Sequence, residues 1–174
     1  MRFVCIVLLA FLSSCSHVNK SQDVKNFLDF NSLNFQGKAY SIGSAYSETD
    51  FSSNKFLKNT LGSCLTFFNP DDAVSYVFHD GKLVSILVKY DNKSIYTTKN
   101  ISNGMKADNI VSNYKDFEMK KVNSEGSGDS QQDFTYTIFD KDQKNNILIF
   151  DVINDEIQGI HLERKGFNMS DCDE

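Results

Sequence analysis

The stretch Val74-Ser75-Tyr76-Val77-Phe78-His79-Asp80-Gly81-Lys82-Leu83-Val84-Ser85-Ile86-Leu87-Val88 decides how the rest of the chain is read. Val74, Tyr76 and Phe78 alternate with polar or smaller residues, as one face of a half-buried strand requires, and Val84, Ile86 and Val88 alternate again after the turn. A one-residue slip in a hairpin sends every side chain to the opposite face, so the loop length is constrained. A three-residue loop, His79-Asp80-Gly81, with Gly81 left-handed in a G1 bulge, would pair Phe78 with Lys82, Tyr76 with Val84 and Val74 with Ile86. That register lands the apolar set on one face.

The pattern recurs without a gap near the C-terminus. Val74 to Tyr90 lies over Leu148 to Arg164, matching Val74 with Leu148, Tyr76 with Phe150, Phe78 with Val152, Leu83 with Ile157, Ile86 with Ile160 and Val88 with Leu162. Asp155 then falls where the first copy has Gly81. Each hairpin is preceded by a short helix candidate. The first is Ser53 to Leu61, where Ser52-Ser53 offers an N-cap, Phe56, Leu57, Thr60 and Leu61 share a helical face, and Gly62 stands as a C-terminal stop. The second is Ala107 to Tyr114, opened by Asn103-Gly104-Met105 and carrying Ile110, Val111 and Tyr114. A further short helix is expected over Asp23 to Phe30. Strands are expected at Lys38 to Ile42, Leu65 to Phe68 and through Phe134, Tyr136 and Ile138. The expected class is α+β: an antiparallel sheet from two helix-plus-hairpin units (about 50–100 and 104–165), with the short helices packed on one face, in a single domain over 23–174.

The N-terminus carries a different message. Met1-Arg2 is a short basic start, and Phe3 to Phe11 is apolar and free of charge. Small residues follow, which is the layout of a signal peptide over 1–14. The apolar run is too short to cross a bilayer, which takes about 20 residues. Leu12-Ser13-Ser14-Cys15 resembles the lipobox of bacterial lipoproteins. In that family the Cys thiol receives a diacylglycerol and becomes the first mature residue, so the resemblance makes Cys15 the lipid attachment site and 15–22 a lipidated tether. A residue other than Asp after the Cys implies sorting to the outer membrane there, and Ser16 fits. Two or three acyl chains hold a protein stably where one holds it marginally, at about 0.8 kcal/mol per buried methylene.

Removing 14 residues leaves 160 of the 174, one ordinary domain. With 15 Phe and 7 Tyr, a sizeable core is available, and aromatic surfaces also suit protein contact. The mature chain sets 17 basic against 23 acidic side chains, a net charge of −6. No Lys/Arg cluster exists to displace counterions, which argues against nucleic acid and against electrostatic attachment to anionic lipid. Membrane contact would then come through the lipid on Cys15.

Of four Cys, Cys5 leaves with the leader and Cys15 is acylated. Cys64 and Cys172 remain, and an exported pair points to a disulfide. Closing a loop of about 108 residues contributes about 4–5 kcal/mol in the chain-entropy model. His17, His79 and His161 share no metal-ligand spacing, and there is no His-Glu-x-x-His, Cys-x-x-Cys, Gly-x-Ser-x-Gly or phosphate loop. Asp140 and Asp142 echo a calcium loop that lacks its glycine and closing glutamate. The polar stretch Asn123 to Asp133 reads as a loop, and a functional role for it has only its position to recommend it. No catalytic residue, metal or cofactor is expected.

Cys15, Gly104-Met105 opening a short helix, Ile110-Val111 and the strands after them resemble, over about a dozen residues, the small lipoprotein of the outer-membrane β-barrel assembly machinery. They are similar also to the β-lactamase-inhibitor-protein fold, built from repeated helix-plus-strand units. No Gly closes the helix after Tyr114, a departure from the first pattern. The expected function is a membrane-tethered, non-catalytic envelope lipoprotein that binds or scaffolds another envelope protein. The alternatives are a periplasmic inhibitor of a secreted hydrolase and an envelope hydrolase without a recognisable motif. The expected location is the outer membrane, facing the periplasm.

Overall fold

The computed structural model describes residues 26–123, 133–140, 142 and 145–173. In chain order the elements are β1 (Phe27–Leu28), β2 (Ser32–Phe35), β3 (Lys38–Ser41), α1 (Glu48–Phe51), β4 (Leu57–Leu61), β5 (Cys64–Asn69), β6 (Val74–His79) and β7 (Lys82–Lys89). Then follow β8 (Tyr96–Thr97), α2 (Asp108–Asn113), β9 (Glu118–Asn123), β10 (Phe134–Phe139), β11 (Asn146–Ile153), β12 (Glu156–Arg164) and a 3₁₀ turn at Met169–Asp173.

The expected α+β class is overturned. Half of the described residues are in strands and 11% are helical. The strands form a large antiparallel sheet in the order β4-β5-β6-β7-β12-β11-β10-β9 and a small sheet in the order β3-β2-β1-β8. The helix expected over Ser53–Leu61 is instead strand β4, and Gly62 turns a hairpin in which Leu61 faces Cys64. The reason is arithmetic. A spacing of four puts Leu57 and Leu61 on one face of a helix and equally on one face of a strand. Asn59 and Thr60 between them are poor helix formers, and pairing with β5 decides the matter. The helix expected at Asp23–Phe30 is also overturned where it is described: Phe27 and Leu28 lie in a strand pairing with Asn34 and Leu33. The second helix is present, shorter than expected.

The central hairpins differ from expectation in one instructive way. His79 pairs with Lys82, so the loop holds two residues, Asp80 and Gly81, both at positive φ (50° and 70°). The mirror-image turn this makes suits strand twist. The one-residue correction comes three residues later. Phe78 faces Leu83 and Val77 faces Ser85, leaving Val84 as a bulge. Leu83, Ile86 and Val88 thereby share a face with Phe78, Tyr76 and Val74, and all six are buried.

The second hairpin repeats this device. Asn154 and Asp155 turn at φ 52° and 65°, Val152 faces Ile157, and Asp151 faces Gly159, leaving Gln158 as the bulge. The likeness extends upstream. Gly43 N–H donates to Leu83 O, Leu83 N–H to Ser44 O and Tyr46 N–H to Gly81 O. In the other half, Gly104 N–H donates to Ile157 O, Ile157 N–H to Met105 O and Ala107 N–H to Asp155 O. Each half is thus a glycine-opened segment laid across a hairpin tip, a short helix and a four-stranded meander. The halves join edge to edge, with Ile160 opposite Val88, His161 opposite Leu87 and Leu162 opposite Ile86. Matching the hairpins as above carries this register onto itself, so a local two-fold passes through the Leu87–His161 pair.

One face of the large sheet carries the core. Leu28, Leu33 and Phe35 of the small sheet, Phe51 of α1 and Ile110 of α2 pack on it. Phe51 is ringed by Tyr40, Tyr46, Phe56, Phe67, Tyr76 and Phe78, with centroids 4.7–6.2 Å apart, in edge-on, tilted and stacked geometries. Tyr114, just after α2, plays the same part against Phe30, Phe117 and Phe150. The aromatic residues that could have served a contact surface are therefore mostly spent inside.

Candidate binding face

Strand alternation leaves the opposite face of the large sheet for other uses. Because every strand is in register with its neighbour, one row of side chains crosses the whole face: Leu57, Phe68, Ser75, Leu87, His161, Ile149, Thr137 and Lys120. Phe68, Leu87, Ile149 and Thr137 in this row are half-buried, and among the described residues no sheet or helix packs over them. Lys89 Nζ sits 4.0 Å from the centroid of Phe68 and caps one flank.

At the centre of the row His161 holds two carboxylates. Its Nε2 lies 2.6 Å from Asp151 Oδ2, and its Nδ1 lies 3.5 Å from Glu163 Oε1. Ser85 Oγ donates to the same Glu163 oxygen at 3.3 Å. Desolvation pulls the imidazole pKa down, but the hydrogen bonds and charges of Asp151 and Glu163 outweigh it and raise the pKa to about 9. His161 is consequently an imidazolium at neutral pH. Both ring nitrogens face carboxylates, so neither is left to accept a proton from a substrate, and the group reads as a charged surface feature with a net charge of −1.

Gly159 makes the arrangement sterically possible. A Cβ there would lie 2.9 Å from Asp151 Oδ2 and 3.6 Å from His161 Nε2. The matching positions in the first half are Val77 for Asp151, Ser85 for Gly159, Leu87 for His161 and Lys89 for Glu163. The first half therefore has apolar Val77 and Leu87 where the second has Asp151 and His161, and a lysine where the second has Glu163, and it is partly roofed. Val77 and Val84 pack with Cys64, Cys172 and Phe167 of the C-terminal segment. Among the described residues this segment is what covers the face.

Cys64 and Cys172 bring their sulfurs to bonding distance, 2.14 Å, with Cα atoms 5.0 Å apart. Ser63 N–H donates to Cys172 O at 2.9 Å, continuing the attachment along the backbone. Cys15, His17 and the tether lie outside the described residues, as do most of the Asn123–Asp133 loop and parts of the Asp140–Asn146 segment. His79 ends β6 with Nδ1 3.6 Å from Asp80 Oδ2, at the turn and away from His161. Among the described residues no cluster of three or more His, Cys, Asp or Glu is arranged to hold a metal, and no helix is long and apolar enough to cross a membrane.

Alternation with Ile160 and Leu162 puts His161 on the face away from the core, but names neither of its partners. Glu163 lies two residues on, and Asp151 becomes a neighbour through the bulged pairing with Gly159. Polar residues on an outward strand face are what solvation alone would select, so the sequence carries no separate signal for the trio.

Fold and face together define a mostly-β protein in which two alike halves share a continuous eight-stranded antiparallel sheet, with one side filled by core and the other presenting a half-roofed surface. No family model, curated protein or solved structure matches the chain.

Proposed function

We propose that the chain is a bacterial envelope lipoprotein, held at the outer membrane through lipid on Cys15 and facing the periplasm, whose folded part binds another envelope protein and has no catalytic role. The observation that carries the binding part is the cross-sheet row. Side chains from eight strands are aligned on one face, half-buried and apolar at Phe68, Leu87 and Ile149, with a polar trio at the centre. Solvent-facing apolar side chains aligned on one face suit a partner surface, and a partly exposed charged trio among them would set which partner fits. The anchor rests on Leu12-Ser13-Ser14-Cys15 and the basic-apolar leader before it.

The test is a pull-down from crosslinked cells with the natural chain beside Leu87→Glu/Ile149→Lys. The expected outcome is recovery of an envelope protein by the natural chain and its loss with the face variant. Equal recovery by both removes the face from the account. Turnover detected by activity-based probing of the purified chain contradicts the non-catalytic reading, and membrane fractionation unchanged by Cys15→Ser contradicts the anchor.

A further inference from the structure

The large sheet has two edges, and the halves place β4 and β9 at equivalent positions. They differ in how they are protected. Glu118, Lys120 and Lys121 put three charges into the six residues of β9, the usual defence of an open edge. β4 has one charge, Lys58, in Leu57-Lys58-Asn59-Thr60-Leu61, with no proline and no bulge. All five residues are exposed, and Leu57 and Leu61 keep 60% and 43% of their surface in water. Among the described residues, no backbone hydrogen bond other than the β5 ladder reaches β4. Among the described residues, its outer row of N–H and C=O groups thus has no protein partner.

The order of side chains identifies the occupant. Leu57, Asn59 and Leu61 point to the open face, opposite Phe68, Thr66 and Cys64, while Lys58 and Thr60 point the other way. Antiparallel pairing with an identical strand about Asn59 sets each Leu57 against the other copy's Leu61, and Asn59 against Asn59. It sets each Lys58 against Thr60, which avoids a Lys–Lys confrontation. The strand is self-complementary in apolar pattern and in charge, as a two-fold isologous contact requires.

We propose that β4 is the dimerisation edge of this protein, pairing antiparallel with β4 of a second copy about Asn59 and continuing the large sheet across both. The pairing satisfies the open backbone groups and covers Leu57 and Leu61 in one step.

The register gives a discriminating test in the full chain, expressed in its host and treated with a mild oxidant. Directly opposed residues have Cα atoms about 4.5–5.5 Å apart, within disulfide reach. Asn59→Cys is therefore expected to give a band of twice the mass on a non-reducing gel. Leu57→Cys alone is expected to stay single, because its symmetry mate lies about 13 Å along the strand. Co-expressed Leu57→Cys and Leu61→Cys chains should cross-link. Adding Leu61→Lys to Asn59→Cys should abolish the double band while mass spectrometry still finds Cys64 joined to Cys172, which shows the fold intact. A single band from Asn59→Cys, a double band from Leu57→Cys alone, or a bond to some other protein would each overturn the proposal.

Discussion

Replacing His161 by glutamine removes a charge from the open face while keeping a side chain that can hydrogen-bond both Asp151 and Glu163, and the structure sets the sign and size of the consequence. The folded-state pKa is raised from 6.5 to about 9. Below pH 6.5 the ring is protonated folded or unfolded, and the ion pairs contribute in full. As pH climbs through 9 the folded ring loses its proton, and the contribution disappears. The whole shift corresponds to about 3 kcal/mol at about 1.4 kcal/mol per unit. The Asp151 side chain, however, is 39% exposed, and solvent screening reduces the figure to about 1–2 kcal/mol. Urea unfolding of both proteins at pH 6 and pH 9.5 is the assay. The natural chain should lose about 1–2 kcal/mol more than His161→Gln over that interval, since every other group is common to both proteins and cancels in the difference. An imidazole that titrates near 6.5 by NMR, or identical pH dependence in the two proteins, refutes the reasoning.

Other outcomes follow from the same geometry. Gly159→Val pushes its new carbons into the Asp151 carboxylate, so the His161 pKa should fall toward its ordinary value, as an NMR titration would record. Gly62→Ala drives a Cβ into the carbonyl oxygen of Cys172 at a φ of +50°, and a proteolysis time course read on reducing gels should show the C-terminal segment cut early. Reducing the Cys64–Cys172 bridge removes about 4–5 kcal/mol in the chain-entropy model, a fall in Tm of about 10 °C or more by calorimetry. Ile86→Ala, at a fully buried position facing Tyr76, should cost about 2–5 kcal/mol in denaturant unfolding.

What the sequence disclosed, and what it withheld, divides along physical lines. Alternation at Val74, Tyr76 and Phe78, and again at Leu148, Phe150 and Val152, is a local signal of period two. It was legible, as was the match between the hairpins. A three-residue turn and a two-residue turn with a bulge place Ile86 on the same face, so the sequence does not locate the bulges at Val84 and Gln158, which only the backbone pairing does. β4 reads as a helix in sequence because Leu57 and Leu61 satisfy both periodicities, and the β5 edge that captures the segment is a tertiary fact. β2, β8 and β9 left no sequence trace strong enough to name. The cross-sheet row and the Asp151–His161–Glu163 group exist only once eight strands are in register, so no window of sequence contains them. Cys15 is the reverse case: its meaning lies wholly in neighbouring residues, and the fold adds nothing to it.

The account turns on a lipid anchor and a folded part that displays a surface, and the anchor is the more directly measurable. Mass spectrometry of the protein isolated from its own host should find the mature chain beginning at Cys15, with diacylglycerol on the thiol and residues 1–14 gone. A bare thiol at Cys15, or a chain that still carries its leader, would contradict the proposed address and the role built on it.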